Sequence, residues 1–240
     1  MKSVLIIGGN SDIGFGAAKF FAKKGYDIHL ASRNIVELNI KKKEIHNNYD
    51  SKCTITQLDI SKKESLDDFF TNNVNAPNII ITAAGYLEKE EINFKKIVGD
   101  NYLYLVEFIE LAIKKYNGQK NFNTIIGISS VAGERGKKKN NVYGSSKAAY
   151  NNYLNGLRQR LYKKKIHVLL VKPGYVKTKM TEHLNLPKIL TANTDYVGQK
   201  IYESFYKKRD ELYVPKIWFL LLIIYKNIPE IFFKYWVKKN

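Results

Sequence analysis

Short β-rich apolar runs alternate with longer amphipathic stretches along most of the chain, and this alternation constrains the architecture more than any other feature. Val4-Leu5-Ile6-Ile7, Ile79-Ile80-Ile81 and Val168-Leu169-Leu170-Val171 contain no polar position. A strand with one wet face alternates apolar and polar side chains, so runs like these belong to strands covered on both sides. The spacing predicts strands at 3–7, 27–31, 53–57, 78–82, 124–128, 167–171 and 211–214. Helices are expected between them at 13–24, 36–46, 63–71, 94–116, 143–163 and 194–208. Strand–helix–strand units of this kind build a parallel sheet through right-handed crossovers. The expected fold is α/β: a doubly wound, seven-stranded parallel sheet with helices on both faces and ligands at the carboxyl ends of the strands.

A chain of 240 residues suffices for one such domain, and no linker or repeat divides it. The core domain is read as residues 1–214, followed by a C-terminal helical, amphipathic extension at 215–240. The single Cys53 cannot pair internally, which fits a reducing cytoplasm. The apolar stretch at 1–7 is too short for a signal peptide. A net charge of +18 admits nucleic acid, anionic membrane or phosphorylated ligands. The lysine runs at 41–43, 137–139 and 163–165 read most simply as solvated helix ends and loops. No metal site is expected.

The first strand runs into Gly8-Gly9-Asn10-Ser11-Asp12-Ile13-Gly14. Glycine allows a tight turn and close approach to a pyrophosphate, which a helix N-terminus then attracts. Strand two ends in Ala31-Ser32-Arg33-Asn34. An acidic residue there would bind a ribose diol, whereas the guanidinium of Arg33 suits a 2′-phosphate, so NADP(H) is favoured over NAD(H). The alternative is that Arg33 only closes the sheet edge. Asp59, after strand three, either accepts the adenine amino group or caps the next helix with Ser61.

Ser130 follows strand five, and Tyr143 and Lys147 stand thirteen and seventeen residues later. Tyr143 and Lys147 are one helical turn apart and share a face. A phenol of ordinary pKa ~10 is a poor acid or base at neutral pH. A nearby ammonium and a cationic nicotinamide are expected to lower it, while Ser130 holds the same substrate oxygen.

Together these features resemble the short-chain dehydrogenase/reductase family over nearly the whole chain. Gly8–Gly14 is similar to the family's T-G-x-x-x-G-x-G loop, with Ile7 for Thr and Asp12 for the middle Gly. Thr82-Ala83-Ala84-Gly85 stands where the family has N-N-A-G, and Lys172–Thr178 resembles its P-G-x-V-x-T segment. The resemblance implies a Rossmann-type fold and a catalytic set of Asn101, Ser130, Tyr143 and Lys147. It implies that Asn101 holds a water through its backbone and that Lys147 also binds ribose hydroxyls. The implied dinucleotide contacts are Gly8, Asn10, Ser11, Asp12, Ile13, Gly14, Arg33, Asp59, Ile60, Ala83, Ala84, Gly85, Tyr143, Lys147, Pro173, Gly174, Val176 and Thr178. Val176 and Thr178 would meet the carboxamide. Asp12 is expected to shift the pyrophosphate turn. Thr82 and Ala83 forgo the asparagine that buttresses the sheet centre in the family.

Substrate choice is expected from the loop after Ser130 and from a lid at 179–190. In the extension, Ile217-Trp218-Phe219-Leu220-Leu221-Leu222-Ile223-Ile224-Tyr225 is too short to span a bilayer, which needs about 20 residues. Trp, Tyr and Lys flank it as they do at membrane interfaces. From position 207 onward, eight Lys/Arg stand against three Asp/Glu, a net +5. Two readings stand: peripheral membrane contact through 215–240, or a helix pair packed on the body or a second subunit. The Tyr213-Val214-Pro215 sequence, the helix and the aromatic-basic end resemble the branch of the family with decaprenylphosphoryl-2-keto-ribose reductases. By that resemblance the substrate is a keto-sugar on a polyprenyl phosphate, used in cell-envelope glycan synthesis at the inner face of the membrane. The alternatives are a soluble reductase of a hydrophobic ketone or a 3-ketoacyl thioester, and a non-catalytic dinucleotide sensor or nucleic-acid binder. A pure binder has no need of Ser130, Tyr143 and Lys147 together, so nucleic acid is not an expected partner. The family also implies a homo-oligomer through the helices at 94–116 and 143–163.

Overall fold

The computed structural model describes residues 2–87 and 93–238. The chain alternates strands β1 (Ser3–Ile7), β2 (Asp27–Ser32), β3 (Cys53–Gln57), β4 (Ile79–Thr82), β5 (Thr124–Ile128) and β6 (His167–Pro173) with helices. These are α1 (Asp12–Lys23), α2 (Ile35–Asn48), α3 (Lys63–Asn72), α4 (Phe94–Val98), α5 (Tyr104–Tyr116) and α6 (Asn141–Leu161). A two-residue pair, β7 (Tyr175–Val176) and β8 (Thr191–Ala192), precedes α7 (Thr194–Tyr206) and β9 (Glu211–Val214), and the helices α8 (Ile217–Asn227) and α9 (Glu230–Lys238) follow.

The main sheet has seven parallel strands in the order β3-β2-β1-β4-β5-β6-β9. The chain winds outward from β1 to β3, then returns to place β4 on the other side of β1. That reversal opens a crevice at the carboxyl ends of β1 and β4.

The apolar runs do what their composition requires. Val4 and Ile6 of β1 face one core with α1, α2 and α7, where Phe15, Phe21, Leu38 and Ile201 lie. Leu5 and Ile7 face the other, with Leu66, Phe108, Tyr150 and Leu154 of α3, α5 and α6. Helix starts are fixed by side-chain caps: Ser11 accepts from Gly14 N at 3.3 Å, Asn34 from Glu37 N at 3.2 Å and Asn193 from Tyr196 N at 2.7 Å.

One expectation is corrected and one element is new. The helix expected at 94–116 is broken into α4 and α5 by a π-helical turn, Gly99–Leu103. Such bulges cluster at functional sites, and Asn101 sits in this one. The β7–β8 pair was not expected, because two residues per strand leave no periodicity to read.

Candidate active site

The loop after β1 is shaped by Gly8, which has φ +81°. Cβ here would sit 2.7 Å from Ala84 Cα, so the loops after β1 and β4 close on one another only because the side chain is absent. Gly8 N and Gly9 N both donate to Ala31 O, at 2.9 and 3.0 Å, which ties the loop to β2 as well. The resulting cleft of about 240 Å³ is lined by Gly8, Asn10, Ser11, Arg33, Asp59, Ile60, Ala84 and Gly85 among the expected residues. Ser32, Leu58 and Asp100 line it too and were not expected.

Three polar groups in this cleft have capacity to spare. The Arg33 guanidinium meets no carboxylate in an ion pair among the described residues; its own carbonyl accepts from Gln57 Nε2 at 3.0 Å. Asn10 donates from Nδ2 to Asn34 O at 2.8 Å, while its buried Oδ1 has no partner among the described residues. Asp59 accepts from Ser61 N and Ser61 Oγ through Oδ1, at 3.1 and 2.7 Å. Burial raises the Asp59 carboxyl, but the Ser61 bonds and the charge of Arg33 outweigh it and hold it below the ordinary value. The helix cap itself is Lys62, so Asp59 shapes the preceding turn and also lines the cleft. A cradle only glycine fits, an orphaned acceptor and an unpaired guanidinium suit a ribose phosphate.

Asp12 opens α1, and its Oδ2 accepts the main-chain N–H of Lys179 at 2.7 Å. Its carboxylate therefore binds the segment after β7 and does not line the cleft. Ile13, Gly14 and Ala83 lie behind the loop, with a Cβ at Gly14 falling 2.9 Å from Ala83 Cβ.

The catalytic candidates come from β5, α6 and the π turn. Asn101 is fully buried; Nδ2 donates to Tyr86 O and Ile97 O at 2.6 and 2.8 Å, and Oδ1 accepts from Tyr86 N at 3.1 Å. Cβ at Gly85 would lie 3.0 Å from Asn101 Oδ1 and 3.5 Å from Lys147 Nζ, so the π turn, the loop after β4 and α6 converge at Gly85. Ser130 Oγ accepts from Ala132 N at 3.1 Å, which leaves its hydrogen free to be donated. The Lys147 ammonium lies 5.8 Å from the Tyr143 ring centre and 5.9 Å from that of Tyr150.

The electrostatics of the chain alone, without a nicotinamide, run the other way from the lowering expected with one bound. Burial raises the Tyr143 phenol, with the neighbouring Ser130 opposing the rise, and no carboxylate or ammonium overrides it. Burial also pulls the Lys147 ammonium down to about 8. In the protein chain alone, desolvation dominates both groups.

Thr82, in place of the family's asparagine, bonds the Tyr150 hydroxyl at 2.6 Å deep in the sheet centre. Tyr150 lies seven residues after Tyr143 on α6, a spacing that returns to the same face of a helix and was legible in the sequence.

The far side of the site is built by the 173–178 segment and the tail. Pro173 ends β6, and Gly174 N donates to Val214 O at 2.9 Å. The Trp218 indole lies directly against Gly174, where a side chain would collide with it. Trp218 Nε1 donates to Leu190 O at 3.0 Å, and its ring meets Tyr175 edge-on at 5.3 Å. Burying that indole contributes on the order of 3 kcal/mol. Val176 is buried, and the Thr178 hydroxyl shares a hydrogen bond with Thr181 Oγ1 at 3.1 Å. Pro173, Gly174, Val176 and Thr178 thus stand apart from the cleft formed at Gly8 and Arg33.

The loop after Ser130 is fastened to the tail by two adjacent residues that sequence reasoning passed over. Glu134 binds Lys172 at 2.8 Å and Lys226 at 2.6 Å. Burial raises its carboxyl, and the two ammonium groups override that and hold it low. Lys172 also reaches Glu211 at 3.0 Å. Arg135 donates to Tyr225 O and Ile228 O at 2.6 and 2.8 Å and pairs with Glu230 at 3.1 Å. The tail therefore buries Trp218, Leu222 and Phe233, while Leu220, Ile224, Ile231 and Phe232 are each more than 60% exposed. The aromatic-basic end from Tyr235 was part of the sequence reading of the tail, and its side chains lie outside the described residues, as does that of Lys139.

The solvated reading of the lysine runs fails twice. Lys41 is only 8% exposed and donates to Asn10 O at 2.9 Å, and Lys137 is half-buried against the tail.

Comparison with known proteins agrees with this construction. The profile of the short chain dehydrogenase family matches residues 2–188. Carbonyl reductase family member 4 of Xenopus tropicalis is 24% identical over 189 residues, covering 75% of this chain and 78% of that protein. The 3-oxoacyl-[acyl-carrier-protein] reductase of Mus musculus is 24% identical over 193 residues, covering 76% and 79%. The short-chain dehydrogenase from Sphingobium yanoikuyae, solved in complex with NADPH, superposes with a TM-score of 0.79 at 20% identity, covering 95% of this chain and 97% of that one. With the family profile spanning β1 through β6 of the sheet and the fold shared over almost the full length, the chain belongs to the short-chain dehydrogenase/reductase family of oxidoreductases.

Proposed function

We propose that the protein interconverts a ketone and a secondary alcohol at Tyr143, using NADP(H). The observation that carries this is a buried Lys147, without a carboxylate partner among the described residues, whose ammonium lies 5.8 Å from the centre of the Tyr143 ring. Gly8, Asn10, Ser11, Arg33, Asp59, Ile60, Ala84 and Gly85 would hold the dinucleotide's adenosine and phosphates, with unpaired Arg33 favouring the 2′-phosphate. Asp12, Ile13, Gly14 and Ala83 support that loop. Pro173, Gly174, Val176 and Thr178 bound the opposite end. The bound dinucleotide supplies the hydride that reaches the carbonyl carbon.

In reduction, the Tyr143 hydroxyl gives its proton to the substrate oxygen while Ser130 donates a hydrogen bond to the same oxygen. The raised pKa keeps Tyr143 protonated at neutral pH, the form reduction needs. Lys147 is mostly ammonium at pH 7 and balances the phenolate left behind. Asn101 anchors the path by which that proton is replaced.

For the substrate we propose a keto-sugar on a polyprenyl phosphate, met at an anionic membrane surface of the cytoplasm through α8 and α9. The exposed apolar face of the tail beside a net +5 supports this reading. No helix among the described residues is long and apolar enough to cross a membrane. The name of the mouse relative favours a second reading, a 3-oxoacyl thioester. Exposed Phe94 and Leu103 beside α5 support a homo-oligomer through that face.

The test is NADPH oxidation with the lipid-linked keto-sugar and with acetoacetyl-coenzyme A. Tyr143→Phe is expected to abolish turnover and to keep NADPH binding; near-native turnover would sink the mechanism. Flotation with anionic vesicles should be lost in a Leu220→Asp, Ile224→Asp variant. Flotation equal to wild type removes the membrane reading, and turnover of the thioester alone selects the second substrate.

A further inference from the structure

The corner where the Ser130 loop, the lid and the tail meet holds more cations than acids. Glu134 is shared by Lys172 and Lys226, Glu211 also serves Lys172, and Glu230 serves Arg135. Lys137 is left over. Its Nζ lies 5.1 Å from the centre of the Tyr225 ring and 6.0 Å from that of Trp218, and no carboxylate or hydrogen-bond acceptor meets it among the described residues.

A half-buried ammonium held only by two ring faces is poorly compensated. Burial accordingly holds it below the ordinary lysine value. Its place in the chain matters as much as its charge. Lys137 lies between Ser130 and Tyr143, and the indole beside it packs on Gly174 and bonds to the end of the lid at Leu190. The dinucleotide cleft is on the other side of the site, at the ends of β1, β2 and β3. An anion at Lys137 therefore belongs to the substrate. The same helix that supplies Trp218 and Tyr225 exposes Leu220, Ile223 and Ile224 on its outer side.

We infer that Lys137, framed by Trp218 and Tyr225, is the subsite for a phosphate group of the substrate, with an apolar chain on that phosphate leaving along the outer face of α8. This rests on the reading of Ser130 and Tyr143 as the reacting end. Lysine is suited to the role as a point charge whose three donors a phosphate can fill.

Calorimetric titration of the full-length protein with farnesyl phosphate, farnesol and inorganic phosphate tests it. Lys137→Met keeps the stem and removes the charge; Lys137→Arg keeps a cation. Farnesyl phosphate is expected to bind Lys137→Met at least tenfold more weakly than wild type, and Lys137→Arg within about threefold of wild type. Farnesol should bind wild type and Lys137→Met equally. Equal farnesyl phosphate affinity in wild type and Lys137→Met, or no binding to wild type, overturns the subsite. Parallel loss of farnesol binding assigns Lys137 to packing alone and overturns it as well. Inorganic phosphate binding as tightly as farnesyl phosphate overturns the apolar-chain assignment. Failure of the reaction reading is separate: a Tyr143→Phe variant that still turns over would show it, and these titrations involve no turnover.

Discussion

The Arg135 guanidinium stacks 4.0 Å from the centre of the Phe233 ring, so a residue of the loop between Ser130 and Tyr143 pins the last helix of the chain. The same side chain caps the end of α8 through Tyr225 O and Ile228 O. Loop and tail are thereby one structural unit, and changes in either should be felt by the other.

Arg135→Ala should release the tail from the loop. It removes two charge-assisted bonds to carbonyl oxygens, the Glu230 ion pair and cation–π contacts with Tyr225 and Phe233, a loss of about 2 kcal/mol once water replaces them. Hydrogen exchange at 217–238 should quicken, together with exchange at 131–140. Arg135→Lys should recover part of the protection. Tail protection unchanged in Arg135→Ala would mean that the buried Trp218, Leu222 and Phe233 and the Glu134–Lys226 pair seat the hairpin without it.

The Thr82–Tyr150 bond makes a second prediction. Both hydroxyls are sealed from water, and the other contact of Thr82 Oγ1, to Ile126 O, is long at 3.4 Å. Tyr150→Phe should cost about 1–3 kcal/mol in denaturant unfolding, because an unsatisfied buried hydroxyl is left behind. Adding Thr82→Val should cost less than the sum of the two single changes. Additive losses would show that the hydroxyls are not coupled.

That pair also shows where the sequence was legible and where it was not. The strands could be located because burial on both faces forces uninterrupted apolar runs, as in Val168–Val171. Ser130, Tyr143 and Lys147 could be found because β5 and one turn of α6 fix their spacing. Spacing within one element carries no information about contacts between distant ones. Thr82 looked like the loss of a buttress because its partner, Tyr150, lies 68 residues away. Arg135 and Phe233 are 98 positions apart, and only the folded loop brings them together. The rise of Tyr143 in the protein chain alone is hidden for a related reason: the sequence shows which charges are near but not how much water is lost.

His29 should make the protein acid-sensitive. It is held on β2 with Nε2 2.7 Å from Thr56 Oγ1, and burial pulls its pKa down to about 4. The unfolded chain, with an ordinary value of ~6.5, binds more protons between pH 4 and 6.5, so stability falls as pH drops through that window. At pH 4.5 the loss from this group is about 2 kcal/mol. His29→Gln keeps a partner for Thr56 and does not titrate. Urea unfolding at pH 7 and pH 4.5 should therefore show a smaller drop for the variant. An equal drop in both proteins would assign the acid sensitivity elsewhere.

Asp12 gives the last test, since it stands where the family has glycine. Rather than obstruct the loop, its Oδ2 takes the Lys179 N–H and joins the start of α1 to the segment after β7. Asp12→Ala removes the acceptor; Asp12→Asn keeps a carbonyl oxygen in the same place. A hydrogen bond to a carboxylate contributes about 2 kcal/mol, a factor of about 30 in local opening. Exchange at the Lys179 amide should rise by about that factor in Asp12→Ala and much less in Asp12→Asn. Asp12→Gly, which restores the family residue, should behave like Asp12→Ala, because the clasp is a property of the side chain. If Asp12→Gly instead protected Lys179 as well as the native protein does, the substitution would be a passive replacement and the segment would be held by its other contacts, among them the Lys179–Glu37 pair and the Trp218 bond to Leu190 O.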